Sequence, residues 1–270
     1  MSPLAELHRH LNAALAFGPS YNGRLSNHLP MALHAAWELG AESERLQAQI
    51  EDEAPKLVRA APSAMQMEIA AEIEAEGAEA VLRRHVPGLV TMPHAGLFHG
   101  MIRTAHAWEA GHAGELAAAL AYWDSLWQAD SSDVPPTDDE PWKACRQRLI
   151  ERALDAYLLS RNFYVLHLIT GLRALRVLGR FVPDVPEVSA WIERGFEAGW
   201  ARADYRATLA LNEDEPPSWP RLREAALAQM DDHVIKLVHA CWQEDRLRPD
   251  KRWRQAAALA TDRAAVTPAV

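Results

Sequence analysis

Apolar residues keep a helical period along almost the whole chain, and no segment keeps a strand period. Leu4, Leu7, Leu11 and Leu15 recur at three- and four-residue steps, the spacing that lines one face of a helix. No alternating β-branched run is long enough for a strand. The 270 residues therefore predict an all-α fold. It should be an array of about ten helices around one core, with no significant sheet.

Turn and cap signals divide the array. Tyr21–Arg24 (YNGR) reads as a turn, because Asn-Gly accepts unusual backbone angles. Ser26 or Asn27 can then cap a helix carrying Leu29, Leu33 and Trp37, with Pro30 tolerated in its first turn and Gly40 ending it. Met65 to His85 is Ala- and Glu-rich and helical, with a weak point at Gly77. Val86–Pro93 is expected as a loop. Helices follow at about 95–110 and 114–129. The acidic, proline-rich segment 130–141 (DSSDVPPTDDEP) is the clearest break. It is either a surface loop or a division of a single 1–270 domain into two lobes. Helices resume at about 142–159, 163–180, 187–210, 219–230, 231–245 and 250–264.

Composition excludes several functions. A formal net charge of −9 opposes a nucleic-acid partner, whose phosphates would be repelled. Two cysteines, Cys145 and Cys241, lack metal-ligand spacing and cannot build a disulfide framework, which fits a reducing compartment. The segment MSPLAELHRHLN has no apolar signal core, and no stretch suits a membrane span. The expectation is a soluble, cytoplasmic protein with no membrane partner. Its oligomeric state is open, a homodimer among the options. Ten Trp is a high count, and Trp37, Trp108, Trp123 and Trp127 fall near the histidine-bearing segments. They fit either core filling or the walls of a flat aromatic site.

Four segments place histidine on an otherwise apolar or small-residue helix: NHLPMALHAAWELG (27–40), FHGMIRTAHAW (98–108), FYVLHLITGLRAL (163–175) and DDHVIKLVHAC (231–241). Imidazole transfers protons near neutral pH, so inward-facing rings that meet in one cavity would point to chemistry. In the second segment, His99, Arg103 and His106 lie within about 60° of one another on the helical wheel, opposite Leu97, Met101 and Trp108. They read as a base beside a fixed cation suited to an oxyanion, or as a solvated polar face. His167 is enclosed by Val165, Leu166, Leu168, Ile169 and Leu172, and is either a functional imidazole or a core histidine bonded to a carbonyl. His28 sits in a first turn, where the helix end favours the neutral base. Asn27 beside it reads first as a cap, and His34 as structural or exposed. Asp232, Lys236 and His239 share a stripe, with Asp232 and Lys236 read as a surface pair.

These segments resemble the questin oxidase-like family, from NHLPMALHAAWELG to DDHVIKLVHAC, with HGMIRTAHA among the more specific. The resemblance implies an oxidoreductase of Baeyer–Villiger type that cleaves a flat phenolic or quinone-like polyketide ring. Molecular oxygen would be co-substrate, and NADPH is a further cofactor the family suggests. On this reading His99 and His167 move protons, Arg103 stabilises the oxyanion and His28 supports them. Tyr21, Trp37, Phe98, Trp108 and Tyr164 are candidate walls. Asn27, His106, His233 and Lys236 are candidates for holding an anionic or phenolic group, the last two because the resemblance covers them.

Other chemistries leave weaker marks. HExxH, GxGxxG, P-loop and GxSxG motifs are absent. One Glu-x-x-His pair, Glu109–His112, is present where a di-iron bundle needs two. No tightly bound cofactor and no metal are expected, although scattered histidines leave a mononuclear site open. A non-catalytic helical binding module and a metal-dependent helical oxygenase are the alternative readings.

Overall fold

The computed structural model describes residues 2–23, 25–126, 140–210 and 214–262. Among them run thirteen α-helices and one two-stranded hairpin, as the helical period predicts. The expected break at 130–141 lies outside the described residues except for Glu140 and Pro141, and Trp127 lies outside them too.

Helix α1 (Pro3–Ala14) opens where the Ser2 hydroxyl accepts the Ala5 N–H. Strands β1 (Ser20–Tyr21) and β2 (Leu25–Ser26) pair antiparallel, and Asn22 and Gly23 take left-handed φ values of 48° and 78° between them. Helix α2 (Leu29–Glu38) begins as the Asn27 carboxamide accepts the Leu29 N–H at 3.0 Å and donates to the Gly18 carbonyl at 3.0 Å. Asn27 is fully buried in this cap and is not part of a ligand surface.

Helices α3 (Ser43–Glu53), α4 (Ala64–Glu76) and α5 (Ala78–Leu89) follow. Gly77, at φ 87°, makes the predicted break between α4 and α5. Of the loop expected at Val86–Pro93, the first four residues are instead the end of α5, which runs through Pro87 to Leu89. Val81, Leu82, Val86 and Leu89 form a buried stripe whose packing outweighs the hydrogen bond lost at proline.

Helix α6 (His99–Glu109) packs on α7 (Ala113–Leu126), and Gly111 turns the chain between them at φ 61°. The long helices α8 (Trp142–Ser160), α9 (Phe163–Leu178) and α10 (Pro186–Ala203) build the opposite wall. Helices α11 (Trp219–Leu227), α12 (Asp232–Leu247) and α13 (Lys251–Thr261) complete the array.

At its centre stands a closed ring of four helices. Helix α2 packs on α6, α6 on α9, α9 on α12, and α12 back on α2. These four carry the four histidine segments. No described helix is long and apolar enough to cross a membrane.

Candidate functional site

All four ring helices begin at the same end of the molecule, and each brings a histidine there. His28 is the cap residue of α2 and His99 the first residue of α6. His167 lies in the second turn of α9, and His233 follows the first residue of α12. Their rings close a square, with centroid separations of 4.5 Å for His28–His99, 4.9 Å for His99–His167, 5.2 Å for His167–His233 and 4.6 Å for His233–His28.

The hydrogen bonds share one pattern. His28 Nδ1 meets the Asp232 carboxylate, and His233 Nδ1 meets its other oxygen at 2.9 Å. His99 Nδ1 meets the Gly96 carbonyl at 2.6 Å, and His167 Nδ1 the Phe163 carbonyl at 2.8 Å. Each Nδ1 is thus tied to an oxygen, leaving Nε2 uncommitted to one. His28 Nε2 and His99 Nε2 face each other at 2.7 Å, and Nε2 of His167 and His233 is buried without a partner among the described residues. An imidazole anchored through one nitrogen to an oxygen acceptor, with its other lone pair free, is how metal-binding histidines are oriented. His28, His233 and Asp232 each present a ligand atom within 4.8 Å of the others.

Charge follows from burial and from Asp232. Burial, with help from Lys236, pulls His28 down to about 4 despite Asp232. Burial and neighbouring imidazoles hold His99 and His167 well below the usual histidine range. Burial also acts on His233, but the aspartates more than offset it and its pKa rises. For Asp232, burial would raise the pKa. His28, His233 and Lys236 instead pull it well below the carboxylate range, so it stays ionised. Lys236, 3% exposed, lies 3.5 Å from that carboxylate. The positive ends of four helices further favour neutral rings and an anionic ligand here.

The cluster opens into a cavity of about 760 Å³. His28, His99, His233 and Asp232 form part of its wall, Tyr21, Tyr122, Phe163 and Tyr164 give it aromatic faces, and Lys56 and Arg202 add cations. Ser26 and Tyr122 join through their hydroxyls at 2.6 Å. The volume lies in the range of small-molecule sites.

Several expected site residues lie elsewhere. Arg103 is no oxyanion cation, because its guanidinium is buried against Glu115, with Nε–Oε1 at 2.5 Å and Nη2–Oε2 at 2.9 Å. Helix α6 buries nearly its whole circumference, so no solvated stripe exists, and Arg103 faces α7. Phe98 is core, its ring pressed between Gly171 and Gly199, where an added Cβ would come within 2.8 Å and 3.1 Å of it. Trp108 packs edge-on against Phe181 and does not line the cavity. Trp37 and His106 sit deeper in the ring beside His34, which is buried, not exposed.

Tyr21, His28, His99, Tyr164 and His233 meet at the cavity, with His167 and Lys236 behind them. Asp232 is the main residue missed. Its i, i+4 spacing to Lys236 matches an ordinary surface pair, and only its adjacency to His233 hinted otherwise. Tyr122, Lys56 and Arg202 carried no sequence signal. Neither protein-family models nor curated protein sequences match this chain.

Proposed function

We propose that this chain is a metal-dependent oxidoreductase that inserts oxygen into a flat phenolic or quinone-like aromatic. The observation that carries the reading is the square of four imidazoles, each tied through Nδ1 to an oxygen, with every Nε2 left free of one. Imidazole nitrogen suits iron, manganese or copper, and such a redox-active ion bound there would supply Lewis acidity and a route for electrons to oxygen. The sequence expectation was a metal-free site; the anchoring of all four rings favours ligation.

The protein's own part is positioning. Asp232 fixes His28 and His233 together, and Lys236 keeps that carboxylate ionised. Lys56 and Arg202 attract a phenolate, and the tyrosines and Phe163 hold a planar ring and exclude water.

A second reading rests on the His28–Asp232 contact. That dyad could serve as a metal-free base on a phenol, with oxygen reacting directly at the resulting electron-rich ring. Metal analysis separates the two. Protein expressed with added iron or manganese is expected to hold the ion, and His167→Gln to lose it while remaining folded by circular dichroism. Wild-type protein should add oxygen to a hydroxyanthraquinone under air, read by mass spectrometry with and without reduced nicotinamide. Metal-free wild-type protein that performs the insertion at full rate would leave the base reading. No insertion across a substrate panel would overturn both.

A further inference from the structure

The four ring helices repeat their pattern one step deeper. Six residues after His28 comes His34, seven after His99 comes His106, and six after His233 comes His239. At about 1.5 Å rise per residue this is a second tier roughly 9 to 10.5 Å below the first. Six residues after His167, the fourth corner is Arg173.

The three lower imidazoles touch one another. Ring centroids are 5.1 Å apart for His34–His106, 5.3 Å for His106–His239 and 5.7 Å for His34–His239. His34 Nδ1 and His106 Nδ1 face each other at 2.9 Å. The rings are 1%, 4% and 0% exposed. Both nitrogens of His239, and Nε2 of His34, are buried with no partner among the described residues. Burying such groups unmatched costs free energy that a core would avoid by using leucine or phenylalanine. Two such imidazoles, His34 and His239, meeting at one point with His106, indicate a group that they hold.

Glu109, at the end of α6, completes the set. Its carboxylate offers an oxygen within 4.8 Å of ligand nitrogens on His34 and His106. It also contacts the Arg173 guanidinium, which Gln243 steadies at 3.0 Å through Nε. Arg173, 1% exposed, therefore anchors the carboxylate from within the ring, the role that hydrogen-bonding partners of metal ligands play.

We infer that His34, His106 and Glu109, with His239 beside them as the nearest fourth ligand, form a second metal site, suited to Zn²⁺ and separate from the cavity. Two imidazoles and one carboxylate already gathered, with His239 next to both rings, match the nitrogen and oxygen ligands that four-coordinate zinc takes. Two nitrogens each about 2.0–2.1 Å from one tetrahedral ion stand about 3.3 Å apart, so the His34 and His106 Nδ1 atoms, at 2.9 Å, need part by only a few tenths of an ångström to share one. The ion would staple α2, α6 and α12 together beneath the upper square. The assignment does not depend on what the upper tier binds.

The test counts metal in intact protein expressed with zinc. Elemental analysis of wild type is compared with the His34→Gln/His239→Gln double variant and with His167→Gln, which touches only the upper tier. The double variant is expected to lose one zinc equivalent per chain, and His167→Gln to keep that equivalent. Equal zinc in wild type and double variant, or zinc-free wild type, overturns the site. Loss confined to His167→Gln would place all metal in the upper tier and overturn it as well. If the double variant does not fold, cobalt(II) in His167→Gln protein decides. Strong visible absorption of four-coordinate cobalt supports the site, and its absence overturns it.

Discussion

Gly100 shows how little room a residue beside the site is given. A Cβ there would come 2.7 Å from the Cα and Cβ of Trp123, where α6 and α7 cross. Trp123 is fully buried and its backbone cannot yield cheaply. Gly100→Ala should therefore destabilise the protein by about 1–3 kcal/mol, a cost typical of overpacking, measured by urea unfolding. An unchanged midpoint would show that the α6–α7 contact is looser than this geometry. Just before it, Gly96, Leu97 and Phe98 take three successive left-handed φ values of 56°, 57° and 66°. Such angles cost energy for residues with a side chain, and the burial of Phe98 between Gly171 and Gly199 offsets it. The turn delivers the Gly96 carbonyl to His99 Nδ1.

At the scale of elements, α8, α9 and α12 are joined by one buried carboxylate. Glu244 accepts from Arg146 Nη2 and from Arg176 Nε, both at 2.7 Å, while Arg146 Nε reaches the Leu172 carbonyl at 2.8 Å. Burial would raise the Glu244 pKa, but the two guanidiniums more than offset it and the net shift is downward. A carboxylate lowered on folding stabilises the protein above its unfolded pKa, about 4.3. That stability is lost as pH falls through the folded value. Glu244→Gln should cost about 3–5 kcal/mol at neutral pH, as breaking a buried pair does. It should also flatten the fall in melting temperature below about pH 4.3. Parallel melting curves for both proteins across that range would remove Glu244 from the acid response.

The elements were largely legible because helix period, Asn27, Gly40, Gly77 and Gly111 act locally. Pro87 misled because a buried stripe, formed only on packing, overrode it. Burial was legible for His167, set among Leu and Ile, whereas His34 was read as structural or exposed and His99 and His106 as either a site or a solvated face. Which ring meets which was not legible. A wheel drawn for α6 alone puts Arg103 and His106 with His99, whereas the four-helix ring sends His99 to one tier, His106 to another and Arg103 to α7. Asp232 illustrates the same limit, since its partner His28 is distant along the chain.

For the whole molecule, the notable fact is direction. The two tiers require α2, α6, α9 and α12 to run the same way around the ring, so their connections must return outside it. Parallel macrodipoles placed side by side repel, and here four like poles gather where Asp231, Asp232 and Glu53 supply the opposing charge. That end of the bundle is electrostatically frustrated, whereas the lower turns are buried and closely packed. Amide hydrogen exchange should consequently be fastest in the first turns of these four helices and slow markedly when an anionic phenol is added, while the lower turns stay protected throughout. The molecule would then behave as a cup with a firm base and a loose rim, its mouth set by its guest.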